Sequence, residues 1–330
     1  MPKLPFGDTM IAPRPTGFWR PRVFAIITIL VVGGIVIHQL RYIHEFVLAA
    51  RLPELIEVLT TCSEPGPGFK PSNEADSHLR WHPEPNIPNV IHQIWKTSNT
   101  STYAPGASRD MWRYVFEPLN YTVKLWPEDE ILKLIETKYS WLLPTYNAYP
   151  YNIQRADLAR LVIVHAEGGM YMDLDVRPRS VQTIQCLQHL GHQAIFASMA
   201  GTIGLSNHFF MAERGSSFLQ WVLHEAKRRG PTSRWILLPY LQVFWSTGPM
   251  MLTSAFHKYA KAYETEDQRL AVLTEGYGKT AFGHQAGRSW HGWDGKFLNY
   301  LADSPQLNNL WVNKGSYIGA LALYKTKKNH

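Results

Sequence analysis

The sequence predicts an α/β protein, in which a mixed sheet flanked by helices follows one transmembrane helix. Short apolar runs with strand character alternate with stretches of helical periodicity from residue 87 onward. The 330 residues include 45% hydrophobic side chains, enough to bury a large core. The segment from Val23 to Ile37 is apolar and uncharged, as a membrane span is.

The apolar segment near the N-terminus predicts the topology. Three arginines precede it: Arg14, Arg20 and Arg22. Since positive residues flanking a span favour the cytosol, we expect a cytosolic tail over 1–22, a signal anchor over 23–40 and a lumenal remainder, which is a single-pass type II protein. A cleaved signal peptide is the alternative, although no small-x-small cleavage site follows. Sequons at Asn99 and Asn120 agree with a lumenal domain.

Charge and cysteine content narrow the function classes. The formal net charge of +7 suits an anionic partner, such as a nucleotide diphosphate or an acidic lipid headgroup. The basic residues are scattered and no nucleic-acid-binding motif occurs, so we expect no nucleic-acid partner. Cys62 and Cys186 are too few for a disulfide scaffold and fit no zinc site. Free thiols are the expected state, with a single bridge as the alternative.

Residues 41–85 have the pattern of a stem that precedes a catalytic domain over 86–330. Helical periodicity runs from His44 to Thr61, and a stretch rich in Pro and Gly follows. A first buried strand is predicted within Ile87–Lys96 and a second over Tyr121–Trp126. A helix with acidic residues in its first turn comes next.

The most informative segment is a helix that leads into a strand ending in two carboxylates. The pattern is helical from Gln154 to Glu167, and Gly168 and Gly169 end the helix. Asp157 and Arg160 are one turn apart, so we expect both to point toward the same rim.

Met170 to Asp175 is then predicted as a strand. Its alternation sends Tyr171, Asp173 and Asp175 to one face, at the carboxyl end where open α/β sheets bind ligands. Paired carboxylates supply hard oxygen ligands for Mn²⁺ or Mg²⁺, and such a cation can hold the diphosphate of a nucleotide-sugar. A solvated turn is the alternative. A haloacid-dehalogenase-type phosphatase is another, but Arg177 stands where that motif has Thr or Val.

Six ordered segments between residues 87 and 295 resemble one family. They are IPNVIHQIW (87–95), YPYNIQRAD (149–157), GGMYMDLDV (168–176), WILLP (235–239), TGP (247–249) and SWH (289–291). Together they resemble the family 32 glycosyltransferases, which include fungal Golgi mannosyltransferases. Within that family the sequence is most similar to the catalytic subunits of mannosyl inositol phosphorylceramide synthase.

The resemblance implies a GT-A type fold in the Golgi or ER membrane and a retaining sugar transfer. It implies GDP-mannose as donor and inositol phosphorylceramide as a lipid acceptor, and it leaves open whether a regulatory membrane subunit is required. An N-glycan or a hydrophobic secondary metabolite is the alternative acceptor. A non-catalytic, donor-binding membrane subunit is the alternative of another class.

The resemblance also assigns residues. Asp175 is expected to bind the metal directly, and Asp173 to reach the ribose or sugar and a metal-bound water. Asp157 is expected to hold a sugar hydroxyl and Arg160 the sugar or phosphate, with a surface ion pair as the alternative. His291 is the predicted third metal ligand or phosphate contact.

Two further residues keep two interpretations each. Trp95 stacks on the nucleobase or packs in the core. Tyr171 backs the diphosphate or only fills the sheet face. Asp294 is a weaker candidate for the His291 role.

Overall fold

A computed structural model of the protein describes residues 19–48, 56–62, 84–103, 108–198, 204–263, 269–284 and 292–303. Helix α1 (Trp19–Leu48) contains the segment Val23–Tyr42, which is long and apolar enough to cross a membrane, with a mean hydropathy of 2.4 over 20 residues. A signal sequence near the N-terminus can meet the same criteria of length and composition, so this helix is a candidate span.

The central sheet of the described residues has seven strands in the order β1-β8-β6-β7-β4-β2-β3. Strand β7 runs antiparallel to both its neighbours, and the other pairs are parallel. The strands are β1 (Glu57–Leu59), β2 (Val90–Ile94), β3 (Thr122–Trp126), β4 (Gly169–Met172), β6 (Ala194–Ser198), β7 (Leu205–Ala212) and β8 (Leu270–Leu273). Strands β5 (Val176–Pro178) and β9 (Phe282–His284) form a separate antiparallel pair.

Helices cover both faces of this sheet. They are α2 (Arg109–Phe116), α3 (Glu128–Lys138), α4 (Leu143–Ala148), α5 (Asn152–Glu167), α6 (Val181–Gln188), α7 (Ser217–Ser233), α8 (Pro239–Ser246), α9 (Pro249–Ala262), α10 (Glu275–Ala281) and α11 (Trp293–Asp303). Within the part of the chain that the structure describes, short 3₁₀ helices span Thr100–Thr102, Glu117–Leu119 and Ser140–Leu142. Buried side chains form one core with α3, α5, α7 and α9, and a second core with α2, α6 and α10.

These observations confirm the predicted fold class, a mixed sheet flanked by helices with an N-terminal apolar helix. The strands predicted around residues 90 and 122, and the helix after the second of them, are present. The inner strands β4 and β8 are buried along their whole length, which explains their near-continuous apolar runs, whereas the edge strands β1 and β3 each have exposed residues.

The predicted helix from His44 to Thr61 is wrong at its end. Helix α1 ends at Leu48, and Glu57–Leu59 is instead the edge strand β1, parallel to β8. A partner more than 200 residues away decides the structure here, because three residues form no strand without a neighbour to pair with.

Cys62 and Cys186 form a disulfide that joins the end of β1 to helix α6. The expectation of free thiols is therefore wrong, and the alternative of a single bridge is correct. The two cysteines are 124 positions apart, so only the tertiary fold brings them together.

Candidate active site

Helix α5 buries Asp157 and Arg160 together. Arg160 Nη2 lies 3.3 Å from Asp157 Oδ1, and each side chain is only 5% exposed. The alternative of a surface ion pair is therefore wrong. Burial raises the pKa of Asp157 to about 6, although the Arg160 charge and hydrogen bonds from Thr247 and Asn207 oppose that shift.

Two neutral donors hold the Asp157 carboxylate from distant parts of the chain. Asn207 Nδ2, on strand β7, donates to Oδ1 at 2.9 Å, and the Thr247 hydroxyl, between α8 and α9, donates to Oδ2 at 3.0 Å. Neither residue was predicted as part of the site. Thr247 lies in the Thr-Gly-Pro segment noted above, which was a usable signal, whereas Asn207 lies in no recognised motif.

The strand that precedes the two carboxylates is shorter than predicted. Strand β4 ends at Met172, and Asp173, Leu174 and Asp175 form a turn in which Val176 N donates to Asp173 O at 3.0 Å. Asp173 N still donates to His208 O of the neighbouring strand at 2.9 Å. The direction of the Asp175 side chain is therefore set by this turn and not by the alternation of a continuous strand.

Asp173 is tied to Arg160 and Tyr171. The Tyr171 hydroxyl donates to Asp173 Oδ1 at 2.7 Å, and Arg160 Nη1 lies 3.3 Å from the same oxygen. The guanidinium also lies 4.9 Å from the centre of the Tyr171 ring and donates to Asn207 O at 2.8 Å. Burial raises the pKa of Asp173, and the positive charge of Arg160 opposes that rise.

Arg160 therefore bridges the two carboxylates, Asp157 on the helix and Asp173 at the strand end. The Asp173 side chain is 29% exposed, so this end of the cluster is open to a ligand while the Asp157 end is closed.

Two histidines lie beside Asp175. His284 Nε2, at the end of β9, is 3.6 Å from Asp175 Oδ2, and the His208 ring stacks on His284 with ring centroids 4.0 Å apart. Burial lowers the pKa of His208 to about 3, so its ring is neutral at physiological pH. Neither histidine was predicted, since an isolated His in a sequence carries little information.

Trp95 is half-buried and contacts Tyr103. Its Nε1 donates to Thr102 Oγ1 at 2.7 Å, and its ring meets the Tyr103 ring edge-on at 5.1 Å. Burial, together with the negative charges of Asp175 and Asp173, raises the pKa of Tyr103 to about 12. Tyr103, which Trp95 contacts, is therefore close enough to the two carboxylates to be affected by their charge. The stacking of Trp95 on a nucleobase stays a prediction.

A buried histidine and a glycine pair fix strand β4 beside β2. The Trp126 indole donates to His92 Nδ1 at 3.1 Å, so His92 Nε2 carries the proton and donates to Gly168 O at 2.8 Å. Gly169 has φ +103°, and a Cβ there would lie 2.4 Å from Val90 O. Only glycine permits this approach, which sets where the following carboxylates emerge.

The donor set fits a divalent cation that substrate phosphates help to coordinate. Asp173 and Asp175 offer carboxylate oxygens, and Mg²⁺ and Mn²⁺ commonly combine one or two carboxylates with phosphate and water ligands. Within the described residues no group of three or more His, Cys, Asp and Glu side chains could hold a metal ion by itself.

The two C-terminal candidates have different outcomes. His291 lies outside the described residues. Asp294 is buried, and its Oδ2 accepts a hydrogen bond from Tyr240 N at 2.7 Å, which caps the start of helix α8.

A family model described as "glycosyltransferase sugar-binding region containing DXD motif" matches residues 110–196. This region contains Asp157, Arg160, Tyr171, Asp173 and Asp175. The chain carries a DXD-type glycosyltransferase domain. The match agrees with the predicted enzyme class, and the phosphatase alternative is set aside.

Curated relatives support the predicted resemblance. The chain is 32% identical to inositol phosphoceramide mannosyltransferase 1 of Schizosaccharomyces pombe over 216 residues, covering 65% of this chain and 66% of that protein. It is 27% identical to mannosyl phosphorylinositol ceramide synthase CSH1 of Saccharomyces cerevisiae over 239 residues, covering 71% and 60%. The matches with three S. pombe relatives span 59% to 66% of their lengths.

The chain resembles solved structures more weakly. PaToxG glycosyltransferase aligns with a TM-score of 0.40 and 19% identity, over 58% of this chain and 79% of that one. A glycosyltransferase involved in glycosylating the major capsid of PBCV-1 aligns with a TM-score of 0.37 and 12% identity, over 61% and 93%.

Proposed function

We propose that this chain is a metal-dependent, retaining glycosyltransferase that moves mannose from GDP-mannose to a lipid acceptor such as inositol phosphorylceramide. The proposal rests mainly on the position of Arg160, which lies between Asp157 and Asp173. Asp173 directly follows strand β4, and all three residues belong to the matched DXD region. The names of the curated relatives supply the choice of mannose and of the acceptor.

Each residue of the cluster has a distinct role in this proposal. The partly exposed Asp173 faces the ribose or sugar of the donor, and Arg160 offers positive charge toward the sugar or phosphate. Tyr171 holds the Asp173 carboxylate in place through its hydroxyl. Asp175 and Asp173 would hold Mn²⁺ or Mg²⁺, which neutralises charge on the departing diphosphate.

The contacts of Asp157 favour front-face substitution over a double displacement. A double displacement needs a carboxylate nucleophile beneath the anomeric carbon. Both oxygens of Asp157 are already engaged, one by Asn207 and Arg160 and the other by Thr247. In front-face substitution the leaving phosphate accepts the proton of the acceptor hydroxyl, and no such nucleophile is needed.

Two features support a lumenal domain in the Golgi or ER, on a type II membrane protein. The Cys62–Cys186 disulfide suits an oxidising compartment. Asn99 and Asn120 are both exposed, so both sequons are accessible to glycosylation. Endoglycosidase sensitivity of the full chain in membranes, together with protease protection, tests this topology.

Purified full-length protein in detergent, supplied with GDP-mannose, inositol phosphorylceramide and Mn²⁺, tests the activity. We expect mannosylated lipid with retained anomeric configuration, and no product with chelator present. Transfer to an N-glycan or to a hydrophobic secondary metabolite in place of the lipid would overturn the acceptor assignment. Metal-dependent donor binding with no transfer or hydrolysis, in the presence of native membranes that supply any regulatory subunit, would indicate a non-catalytic subunit.

A further inference from the structure

Helix α11 presents three exposed aromatic side chains on one face. Trp293, Phe297 and Tyr300 are 74%, 55% and 74% exposed. Their i, i+4, i+7 spacing places them on the same side of the helix. Single exposed aromatics are ordinary, but a row of three along a helix marks an interaction surface.

The loop that leads into helix α8 carries two more exposed apolar side chains near the start of α11. Trp235 and Leu237 are 62% and 66% exposed. Tyr240 N donates to Asp294 Oδ2 at 2.7 Å, so the start of α8 lies against the start of α11. Leu237 precedes Tyr240 by three residues and is therefore within about 10 Å of that contact. We call Trp235, Leu237, Trp293, Phe297 and Tyr300 the aromatic face.

Two exposed basic residues lie near these aromatic side chains. Arg234 is exposed and its guanidinium lies 5.9 Å from the centre of the Trp235 ring, and Lys296 on α11 is exposed. Asp294, the acidic residue in the first turn of α11, is buried by its contact with α8. Trp and Tyr flanked by Arg and Lys are the side chains enriched where proteins meet the headgroup region of a bilayer.

Helix α8 connects this face to the active site. The helix has eight residues, which corresponds to a length of about 12 Å. At its far end Gln154 Nε2 donates to Ser246 Oγ at 2.7 Å, and Thr247 donates to Asp157 at 3.0 Å. One short helix thus separates the aromatic face from the carboxylate cluster.

We propose that the aromatic face docks in the headgroup region of a phospholipid bilayer and so holds the active site at the depth of a lipid acceptor. A chain with a candidate membrane span brings its domain to a bilayer, and the aromatic and basic side chains match that surface. The consequence for catalysis rests on the proposed function, whereas the docking itself does not.

A single labelled cysteine measures the docking directly. The two native cysteines form a disulfide, so Phe297→Cys gives the full chain one reactive thiol for an NBD fluorophore. Tyr114→Cys provides the matched control, because Tyr114 is an aromatic residue, 85% exposed, on helix α2 and outside the aromatic face. The protein is reconstituted in vesicles of phosphatidylcholine with a minor share of phosphatidylinositol.

We expect doxyl-labelled lipids to quench the fluorophore at position 297 and not at position 114. Quenching at 297 by aqueous iodide alone would overturn the proposal. Protection from both quenchers would also overturn it, because it would show that another part of this chain, or a second copy, covers the face.

Transfer assays measure the consequence. The combined change of Trp293→Ser, Phe297→Ser and Tyr300→Ser should lower mannose transfer to a long-chain acceptor in vesicles by about tenfold or more. Transfer by this triple variant to a short-chain acceptor in detergent should stay within about twofold of wild type. The control variant Tyr114→Ser should stay within the same range with both acceptors. Equal losses with both acceptors would overturn the positioning role. Lipid quenching at 297 without any wild-type transfer, even when native membranes supply any regulatory subunit, would instead refute the proposed function and leave docking intact.

Discussion

The Thr247 hydroxyl donates a hydrogen bond to Asp157 Oδ2 at 3.0 Å, although ninety positions separate the two residues in sequence. Asn207 holds the other oxygen at 2.9 Å, and Arg160 lies on the same side. Burial alone would favour the protonated acid. These three contacts oppose burial and lower the pKa of Asp157, which is about 6. Thr247 is therefore a positioning residue for Asp157, the carboxylate that holds Arg160 beside Asp173.

Replacing Thr247 with Val should shift the pH dependence of transfer toward higher pH. The wild-type pKa of Asp157 is about 6, so the proposed ionised form is lost as pH falls through that value. Removing the Thr247 hydrogen bond takes away a contribution that lowers this pKa, and the acid limb of kcat/KM should move upward. A pH profile of kcat/KM checks this shift.

Thr247→Ser is the matched control, because it keeps the hydroxyl and should retain the wild-type profile. A uniform loss of rate at every pH in Thr247→Val, with no displacement of the acid limb, would show that Thr247 serves packing only.

The origin of each contact explains what the sequence could predict. Asp157, Arg160, Tyr171 and Asp173 come from one continuous stretch, so local periodicity was enough to bring them together. The early end of β4 was missed because an apolar run does not show where its neighbouring strand stops pairing.

Long-range pairing explains the other misses. Strand β1 depends on β8, and the disulfide depends on a 124-residue separation that no spacing rule covers. Asn207 and His284 reach the site on strands β7 and β9, each far along the chain from the turn at residues 173–175. Nothing local to either residue signals that position.

Changing Asp175 to Asn should abolish detectable transfer while leaving the fold intact. The amide keeps the size of the side chain but removes the charge proposed to hold the metal. Loss of one charge-stabilising group in comparable sites lowers the rate by about 10²–10³. Initial rates with GDP-mannose, and calorimetric titration of GDP with and without Mn²⁺, check the prediction.

Wild-type turnover by Asp175→Asn, or metal-enhanced GDP binding equal to that of wild type, would contradict the metal assignment. A fall in melting temperature large enough to explain the loss would make Asp175 structural instead.

Removing the disulfide by Cys62→Ser with Cys186→Ser should lower thermal stability. Cross-linking over a loop of about 100 residues stabilises by roughly 4–5 kcal/mol in the chain-entropy model, and measured values are usually about 2–4 kcal/mol. The bridge also holds β1, a three-residue edge strand with one neighbour in the described sheet. Melting curves of the full chain with and without reductant measure the effect.

Reductant should lower the melting temperature of wild type to that of the double variant and leave the variant unchanged. If reductant leaves wild type unchanged while the protein is shown to be reduced, the bridge contributes no stability.

Gly169→Ala should destabilise the protein far more than Gly215→Ala. Both glycines have positive φ, +103° and +72°, so alanine costs about 1–2 kcal/mol of backbone strain at either position. A Cβ at 215 meets nothing within 4 Å, whereas one at 169 would lie 2.4 Å from Val90 O, a backbone atom of the neighbouring strand β2. That contact adds about 1–3 kcal/mol of overpacking unless β4 moves away from β2.

Denaturant titration of the two variants measures the difference, and GDP-mannose binding by the folded fraction reports whether the carboxylates moved with the strand. Equal losses of stability would show that the close approach of β4 to β2 does not constrain this position, and that the Gly-Gly pair only ends helix α5.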